Sequence, residues 1–148
     1  MNLIVIGINY KTASVSIREK FSISLENHQE SLTDLLSRNI AFEAVIVSTC
    51  NRTEIYAVAA DGTALQDWFL NHKNCSAVSG SHLYLYKDHK AISHLFQVAS
   101  GFDSQVIGES QILGQIKKSY QMAISCGAVK SYLNKLFQKS FAVAKEIR

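Results

Sequence analysis

Residues 43–59 read EAVIVSTCNRTEIYAVA, and this stretch decides the fold because it predicts two strands joined by a short polar turn. Residues 43–49 and 53–59 are rich in apolar and β-branched side chains, as strands are, and polar residues separate them. Cys50 lies in that turn. A free cysteine usually lies in a protein core, so a thiol at the tip of a hairpin is a candidate for chemistry.

The sequence around this hairpin predicts two more strands and a series of helices. Residues 2–8 form the most apolar stretch and are expected in the centre of the sheet, whereas residues 82–86 alternate like a further strand. A capping box at residues 16–19 predicts a short helix, and Asp88 is a candidate N-cap. Longer helices are predicted over residues 25–38, 62–72, 112–124 with Gly127 as the C′ residue, and 130–148.

The order of these elements predicts the fold class. It is βαββαβ followed by helices, which fits an α+β two-layer sandwich with helices on one face of a mainly antiparallel sheet. The last helix stays in period to Arg148 with no stop signal, so we expect the natural chain to continue.

Composition bounds the class of protein. The chain has 148 residues, of which 47% are hydrophobic and 18% are charged, as in a single globular domain. Its apolar runs are too short for a membrane span, and its start has no basic signal-peptide region, so we expect a cytoplasmic protein. The cysteines at 50, 75 and 126 form no C-x-x-C pair and share no ligand spacing with histidine, so we expect neither a disulfide framework nor a metal site.

The positive charge lies at the C-terminal end. Residues 117–148 carry a net charge of +6 and residues 1–116 a net charge of −3, which together give +3. A basic end can attract nucleic acid. We favour a solvated helix face, because an uneven charge distribution is weak evidence by itself.

The residues around Cys50 suggest acyl transfer to a thiol. A thiolate attacks acyl carbons well, and a nearby cation such as Arg52 stabilises the thiolate. Arg52 could also bind a carboxylate through two parallel hydrogen bonds, with Thr49 and Asn51 as short-range donors. The alternatives are a structural cysteine, and an Arg52 that pairs with Glu54 or another acid of the chain.

Three stretches resemble motifs of one enzyme family. They are STCNRTEIY at residues 48–56, GINYKTASVSIRE at residues 7–19 and HLFQVASGFDSQVIGESQILGQIKKSY at residues 94–120. Together they resemble the N-terminal catalytic domain of glutamyl-tRNA reductase, and the similarity covers nearly the whole chain. The resemblance implies that a cysteine takes glutamate from glutamyl-tRNA as a thioester, and that NADPH reduces this thioester to glutamate-1-semialdehyde for tetrapyrrole (haem) synthesis.

The resemblance also implies roles for individual residues. Cys50 would be the nucleophile, and His94 would act in proton transfer or in positioning the ester. His94 lies off the apolar stripe of Ile92, Leu95, Phe96 and Ala99, so the pattern alone predicts a surface residue. The glutamyl pocket would be formed by Thr49, Asn51, Arg52, Ser104, Glu109, Ser110, Gln111 and Gln115. Without the resemblance, Glu109 is a favourable charge at a helix N-terminus, and Gln111 and Gln115 share an exposed helix face.

The family's domain organisation implies that residues 1–148 form the catalytic domain and that residues from about 130 begin an interdomain helix. The NADPH-binding and dimerisation domains would follow, and this chain contains no G-x-G-x-x-G motif. We therefore expect the chain to form the thioester but not to reduce it. The implied partners are glutamyl-tRNA, a second copy bound through the dimerisation domain, and the aminotransferase that receives the semialdehyde.

The sequence departs from the family pattern at Tyr10, Ser14 and Ser110, where histidine, proline and proline are usual. None of these changes removes a group that the chemistry needs. Two other functions stay open. One is a regulatory or partner-binding domain with an unreactive Cys50, and the other is a cysteine hydrolase or transferase that uses Cys50 and His94 on another acyl substrate.

Overall fold

The computed structural model describes residues 1–73, 80–105 and 111–147. Four strands, β1 (Asn2–Asn9), β2 (Glu43–Ser48), β3 (Arg52–Ala59) and β4 (Tyr84–Lys87), form one sheet in the order β2-β3-β1-β4. Every neighbouring pair is antiparallel. The predicted hairpin and the internal position of β1 are confirmed. The fourth strand begins two residues later than predicted, because Gly80–His82 form a 3₁₀ turn.

Three helices cover one face of this sheet: α1 (Val15–Phe21), α2 (His28–Ser37) and α3 (Gly62–Asn71). Phe21 of α1 stacks on Phe69 of α3 with ring centroids 4.9 Å apart. A Cβ atom at Gly62 would lie 3.6 Å from Ile4 Cδ1, so the start of α3 packs on the face of β1 that carries Ile4. The predicted α+β sandwich is confirmed.

Three further helices cover the opposite face: α4 (His89–Ala99), α5 (Gln111–Ser125) and α6 (Ser131–Ile147). Tyr56 of β3 contacts Phe137 of α6 edge to face, with ring centroids 5.5 Å apart. Leu3 to Asn9 are therefore buried whichever way their side chains point. The C-terminal helices, whose position was not predicted, add a third layer to the sandwich.

The connection from α5 to α6 closes the β2 edge of the sheet. Gly127 has a φ of +72° and follows α5 as the predicted C′ residue. The next carbonyl, of Ala128, accepts a hydrogen bond of 3.0 Å from Ala44 N on β2. The Glu43 carboxylate accepts from the backbone N atoms of Lys130 (2.7 Å) and Leu133 (3.0 Å), so a side chain of β2 caps α6.

The helix starts differ in detail from the sequence predictions. The first helix starts at Val15 after Ser14, and Ser14 Oγ pairs with Ser16 Oγ (3.1 Å) and does not cap the helix. Leu25–Asn27 form a 3₁₀ turn before α2, which leaves Leu25 exposed. Asp88 precedes α4 as predicted, but its φ is +50° and its carboxylate accepts a hydrogen bond of 3.3 Å from Leu3 N and not from the helix.

Within the three described ranges, every helix is too short or too polar to cross a lipid bilayer.

Candidate active site

The turn between β2 and β3 presents the Cys50 thiol to solvent. Thr49 N donates a hydrogen bond of 2.7 Å to Arg52 O, and Asn51 N donates one of 3.2 Å to Thr49 Oγ1. These bonds close a tight turn with Cys50 at its exposed tip and with Thr49 and Asn51 half-buried on either side. Three of the predicted site residues, Thr49, Cys50 and Asn51, therefore lie side by side in this turn.

Arg18 of α1 fastens this turn to the first helix, and sequence reasoning missed it. Its Nε donates a hydrogen bond of 3.3 Å to Cys50 O, and its Nη1 donates one of 2.7 Å to Ala13 O. Arg18 lies in the segment 7–19 that was singled out above, but no spacing rule places that segment beside Cys50. The guanidinium that contacts the Cys50 backbone is that of Arg18 and not that of Arg52.

Arg52 is buried and paired within the protein. It is 2% exposed, and its Nη1 lies 3.2 Å from Glu54 Oε2 and 3.0 Å from Asp103 Oδ2. Its Nη2 donates to Asp103 O. Burial alone would lower the pKa of Arg52, but the charges of Glu54 and the neighbouring tyrosine and aspartate groups raise it above its ordinary value. The alternative that Arg52 pairs with Glu54 or another acid is confirmed, since it pairs with both Glu54 and Asp103, whereas its contact with a substrate carboxylate stays a prediction.

The Glu54 carboxylate accepts four hydrogen bonds and is fully buried. Its Oε1 accepts from Tyr56 Oη at 2.7 Å, and its Oε2 accepts from Tyr84 Oη at 2.6 Å as well as from Arg52 and His94 Nε2. Burial alone would raise the pKa of Glu54, but the contacts with His94, Arg52 and Tyr56 outweigh it and lower the pKa to about 2. Glu54 is therefore an ionised carboxylate at neutral pH.

The prediction that His94 is a surface residue was wrong. His94 is 7% exposed and lies on the buried face of α4 with Ala91, Leu95 and Val98. The pattern misled because Ile92 and Phe96, which the predicted stripe contained, lie at its half-buried edge, whereas the small Ala91 marks its centre. Residues 91, 94, 95 and 98 follow the helical repeat, so His94 points towards the sheet.

A cavity of about 390 Å³ opens beside His94, between β4, α4 and the turn after β1. Asp103 lines it and pairs with Lys11 Nζ at 2.8 Å. Cys50 does not line this cavity; it is connected to it through Arg52, whose Cα is the register partner of Asn9 in the cavity wall. The remaining lining residues are Thr12, Tyr84, Tyr86, Lys90, Ser93 and Gln97.

The other predicted pocket residues lie in two places. Ser104 is buried next to Asp103, and its backbone N bonds to Gly101 O at 3.4 Å. Gln111 and Gln115 are both exposed on α5, as the helix pattern alone suggested. Glu109 and Ser110 lie outside the described residues, so the position predicted for them is untested.

The described residues do not form a cofactor or metal site. Within them, no group of three or more His, Cys, Asp or Glu side chains could hold a metal ion. The sheet is antiparallel, and none of the described strands leads through a glycine-rich turn into a helix N-terminus, so these residues do not fit a dinucleotide such as NADPH.

Comparison with known proteins gives a consistent result. Residues 6–148 match the family model described as glutamyl-tRNA(Glu) reductase, N-terminal domain. The chain is 44% identical to the glutamyl-tRNA reductase of Nitrosococcus oceani and 43% identical to that of Shewanella oneidensis, each over 100% of the chain and 36% of the relative. It thus spans about a third of the length of these relatives. The solved structure of glutamyl-tRNA reductase from Methanopyrus kandleri superposes with a TM-score of 0.80 at 29% identity, over 99% of this chain and 34% of that one.

Proposed function

Since the chain belongs to the glutamyl-tRNA reductase family, we propose that it carries the acyl-transfer half of that enzyme's reaction. Cys50 would take glutamate from glutamyl-tRNA. The observation that carries this proposal is the exposed Cys50 thiol at the tip of a turn whose backbone is held by Thr49, Arg52 and Arg18. A nucleophile in a fixed turn loses little freedom when a substrate approaches.

In the proposed step, the Cys50 thiolate attacks the carbonyl carbon of the glutamyl ester. The carbon–sulfur bond forms, the bond from that carbon to the terminal ribose oxygen breaks, and the oxygen leaves with a proton as the free hydroxyl of the tRNA. His94 is the proposed source or carrier of that proton. The product is a thioester, whose weaker resonance stabilisation makes its carbonyl carbon more open to reduction than that of an ester.

Arg52 would bind the side-chain carboxylate of the glutamyl group. Its contact with Asp103 Oδ2 is an ion pair that lacks hydrogen-bond alignment, because among the described residues no atom donates a hydrogen bond to the buried Oδ2. A substrate carboxylate would replace this contact and leave the Glu54 contact in place. Ser104, next to Asp103, and Thr49 and Asn51, next to Cys50, are the proposed polar neighbours of the glutamyl group, with Glu109, Ser110, Gln111 and Gln115 completing the pocket.

The rest of the proposed activity needs more than the described residues. In the full-length enzyme, NADPH would be used to reduce the thioester to glutamate-1-semialdehyde, and its site would lie in a further domain reached from α6. A dimerisation domain would join two copies, and the aminotransferase that consumes the semialdehyde would be a partner. We propose a cytoplasmic location, where the enzyme and the aminotransferase would meet glutamyl-tRNA.

The test is intact-protein mass spectrometry after brief mixing with glutamyl-tRNA and an acid quench. We expect a glutamyl-sized adduct that hydroxylamine releases. Cys50→Ala should abolish it, whereas Cys126→Ala, which removes the half-buried thiol beside Met122, should keep it. Deacylation of the tRNA is followed in the same samples, so that rapid hydrolysis of the thioester is detected.

An adduct that persists in Cys50→Ala would contradict the assigned nucleophile. A folded parent chain that forms no adduct and deacylates no tRNA would favour the partner-binding function. Adduct formation from simple activated esters, without dependence on the glutamyl group or tRNA, would favour a general cysteine acyl hydrolase.

A further inference from the structure

The imidazole of His94 is held in one orientation by its surroundings. Its Nε2 bonds to Glu54 Oε2, and the ring lies between three tyrosine rings whose centroids are 6.5 Å (Tyr56), 5.4 Å (Tyr84) and 5.1 Å (Tyr86) away. Because the histidine is 7% exposed, rotation of the ring would break the Nε2 contact without giving a bond to water in exchange. The ring also forms part of the wall of the 390 Å³ cavity.

The bond to Glu54 decides which nitrogen of His94 carries the proton. An ionised carboxylate only accepts hydrogen bonds, so the proton of this bond must be on Nε2. Within the described residues Nδ1 makes no hydrogen bond. A neutral His94 therefore has its lone pair on Nδ1, which is the atom left for exchange of a proton with a substrate.

The Glu54 carboxylate is itself fixed by donors on three other side chains. Tyr56 and Tyr84 donate to its two oxygens at 2.7 and 2.6 Å, and Arg52 supplies a positive charge at 3.2 Å. Gly7 lies opposite Glu54 in the sheet, where a Cβ would come within 2.8 Å of Glu54 Cγ. The carboxylate cannot turn away from His94 without breaking these contacts.

We infer that Glu54 is a positioning residue, which holds His94 in its Nε2–H form and so assigns proton transfer to Nδ1. The inference rests on the proposed function for what Nδ1 acts on, namely the ribose oxygen that leaves the ester. Glu54 itself touches no substrate, because it is fully buried beneath Arg52, Tyr84 and His94.

The first test needs no substrate. ¹⁵N NMR of the histidine ring nitrogens in the ligand-free chain reports which nitrogen is protonated, and His94→Gln assigns the signal. We expect Nε2–H in the parent chain and a mixture with Nδ1–H in Glu54→Gln, because an amide can either accept or donate. The matched control is Glu43→Gln, a second buried glutamate of the sheet that caps α6 and should leave the His94 signal unchanged.

The second test is kinetic. In single-turnover transfer from glutamyl-tRNA to Cys50, Glu54→Gln should slow the maximal rate by on the order of 10²-fold, the usual contribution of a placed acid or base, with little change in the half-saturating tRNA concentration. In a His94→Gln background, the same substitution should slow the reaction by less than about twofold, because an effect that acts through His94 cannot be lost twice.

Three outcomes would overturn the inference: an Nδ1–H form in the parent chain, an unchanged His94 signal in folded Glu54→Gln, or equal losses of rate with and without His94. If Glu54→Gln does not fold, the spectrum of the parent chain still tests the inference, because it shows which nitrogen of His94 is protonated. A parent chain with the Nε2–H form but no thioester would contradict the proposed function and leave the positioning role standing.

Discussion

At the scale of single residues, β3 places two charged side chains where a sheet normally carries apolar ones. Arg52 and Glu54 are 2% and 0% exposed. A buried ion pair loses several kcal/mol of hydration for each ion, so it is stable only when hydrogen bonds satisfy the remaining polar atoms. Asp103, Tyr56, Tyr84 and His94 supply those bonds here. Such an arrangement is common at sites where a side chain must be held for chemistry.

Gly7→Ala should damage, from the opposite strand, what we call the Glu54 cluster: Glu54 with Arg52, Tyr56, Tyr84, His94 and Asp103. The new Cβ would lie 2.8 Å from both Glu54 Cγ and Tyr84 Oη, closer than such atoms approach in proteins, so the Tyr84–Glu54 hydrogen bond must give way. We expect a loss of about 1–3 kcal/mol in the free energy of unfolding, measured by urea denaturation. Gly114→Ala is the control: among the residues that the structure describes, its Cβ would meet nothing within 4 Å, so it should stabilise α5 by up to about 1 kcal/mol. Equal stability of Gly7→Ala and the parent would show that the cluster adapts freely.

At the scale of elements, β2 and the start of α6 depend on each other. Glu43 is 2% exposed and satisfies two backbone N–H groups at the first turn of α6, which has no acidic residue of its own there. The negative charge also faces the positive end of the helix dipole. A residue that the sequence presents as an ordinary strand position thus acts as a helix cap from another element.

Glu43→Ala should therefore weaken α6 more than an average surface change. It leaves the N–H groups of Lys130 and Leu133 without their acceptor, which should cost about 1–3 kcal/mol of unfolding free energy. Glu43→Gln keeps an acceptor oxygen and should cost less than half as much. Amide hydrogen exchange should show faster exchange at the first turn of α6 in the alanine variant, and unchanged protection there would refute the capping role.

The sequence predicted those elements that carry their own signals. Apolar and β-branched residues identified β1, β2 and β3, and Gly127 was correctly predicted to follow α5, where its φ is +72°. The errors came from contacts between distant residues. Asp88 bonds to Leu3 and not to its own helix, and the buried His94 bonds to the Glu54 carboxylate, which lies forty residues earlier in the sequence. Partners of that kind leave no local pattern, which is also why Arg18 was missed.

At the scale of the whole molecule, the Glu54 cluster joins segments that are far apart in sequence. It connects β3 with β4, with α4 and with the turn that contains Asp103. The three motifs singled out Cys50, Arg52 and His94 as candidate site residues, but the contact that joins His94 to Arg52 through Glu54 could be seen only once the chain was folded. Loss of the Glu54 charge should accordingly be felt as a loss of global stability.

Acid should weaken the fold through this carboxylate. The contacts of Glu54 lower its pKa from 4.5 to about 2, so its contribution to stability is complete above pH 4.5 and is lost as the pH falls towards 2. Urea denaturation from about pH 6 to about pH 2.5 should show the parent chain losing its advantage over Glu54→Gln within that window. An advantage that stays constant across the window would mean that the pKa of Glu54 is not lowered by folding.

The two outer strands of the sheet, β2 and β4, bear on self-association. The free N–H and C=O groups of an outer strand can template the addition of a strand from another chain, which is the first step of many aggregates. On one side, the edge of β2 is already covered by Ala128 and the adjoining helices. On the other side lies β4, which is four residues long and ends in an exposed lysine. A short strand with a charge at its end is a poor template for such pairing. At high protein concentration, self-association should therefore occur through the exposed Cys50 thiol before it occurs through the edge of the sheet.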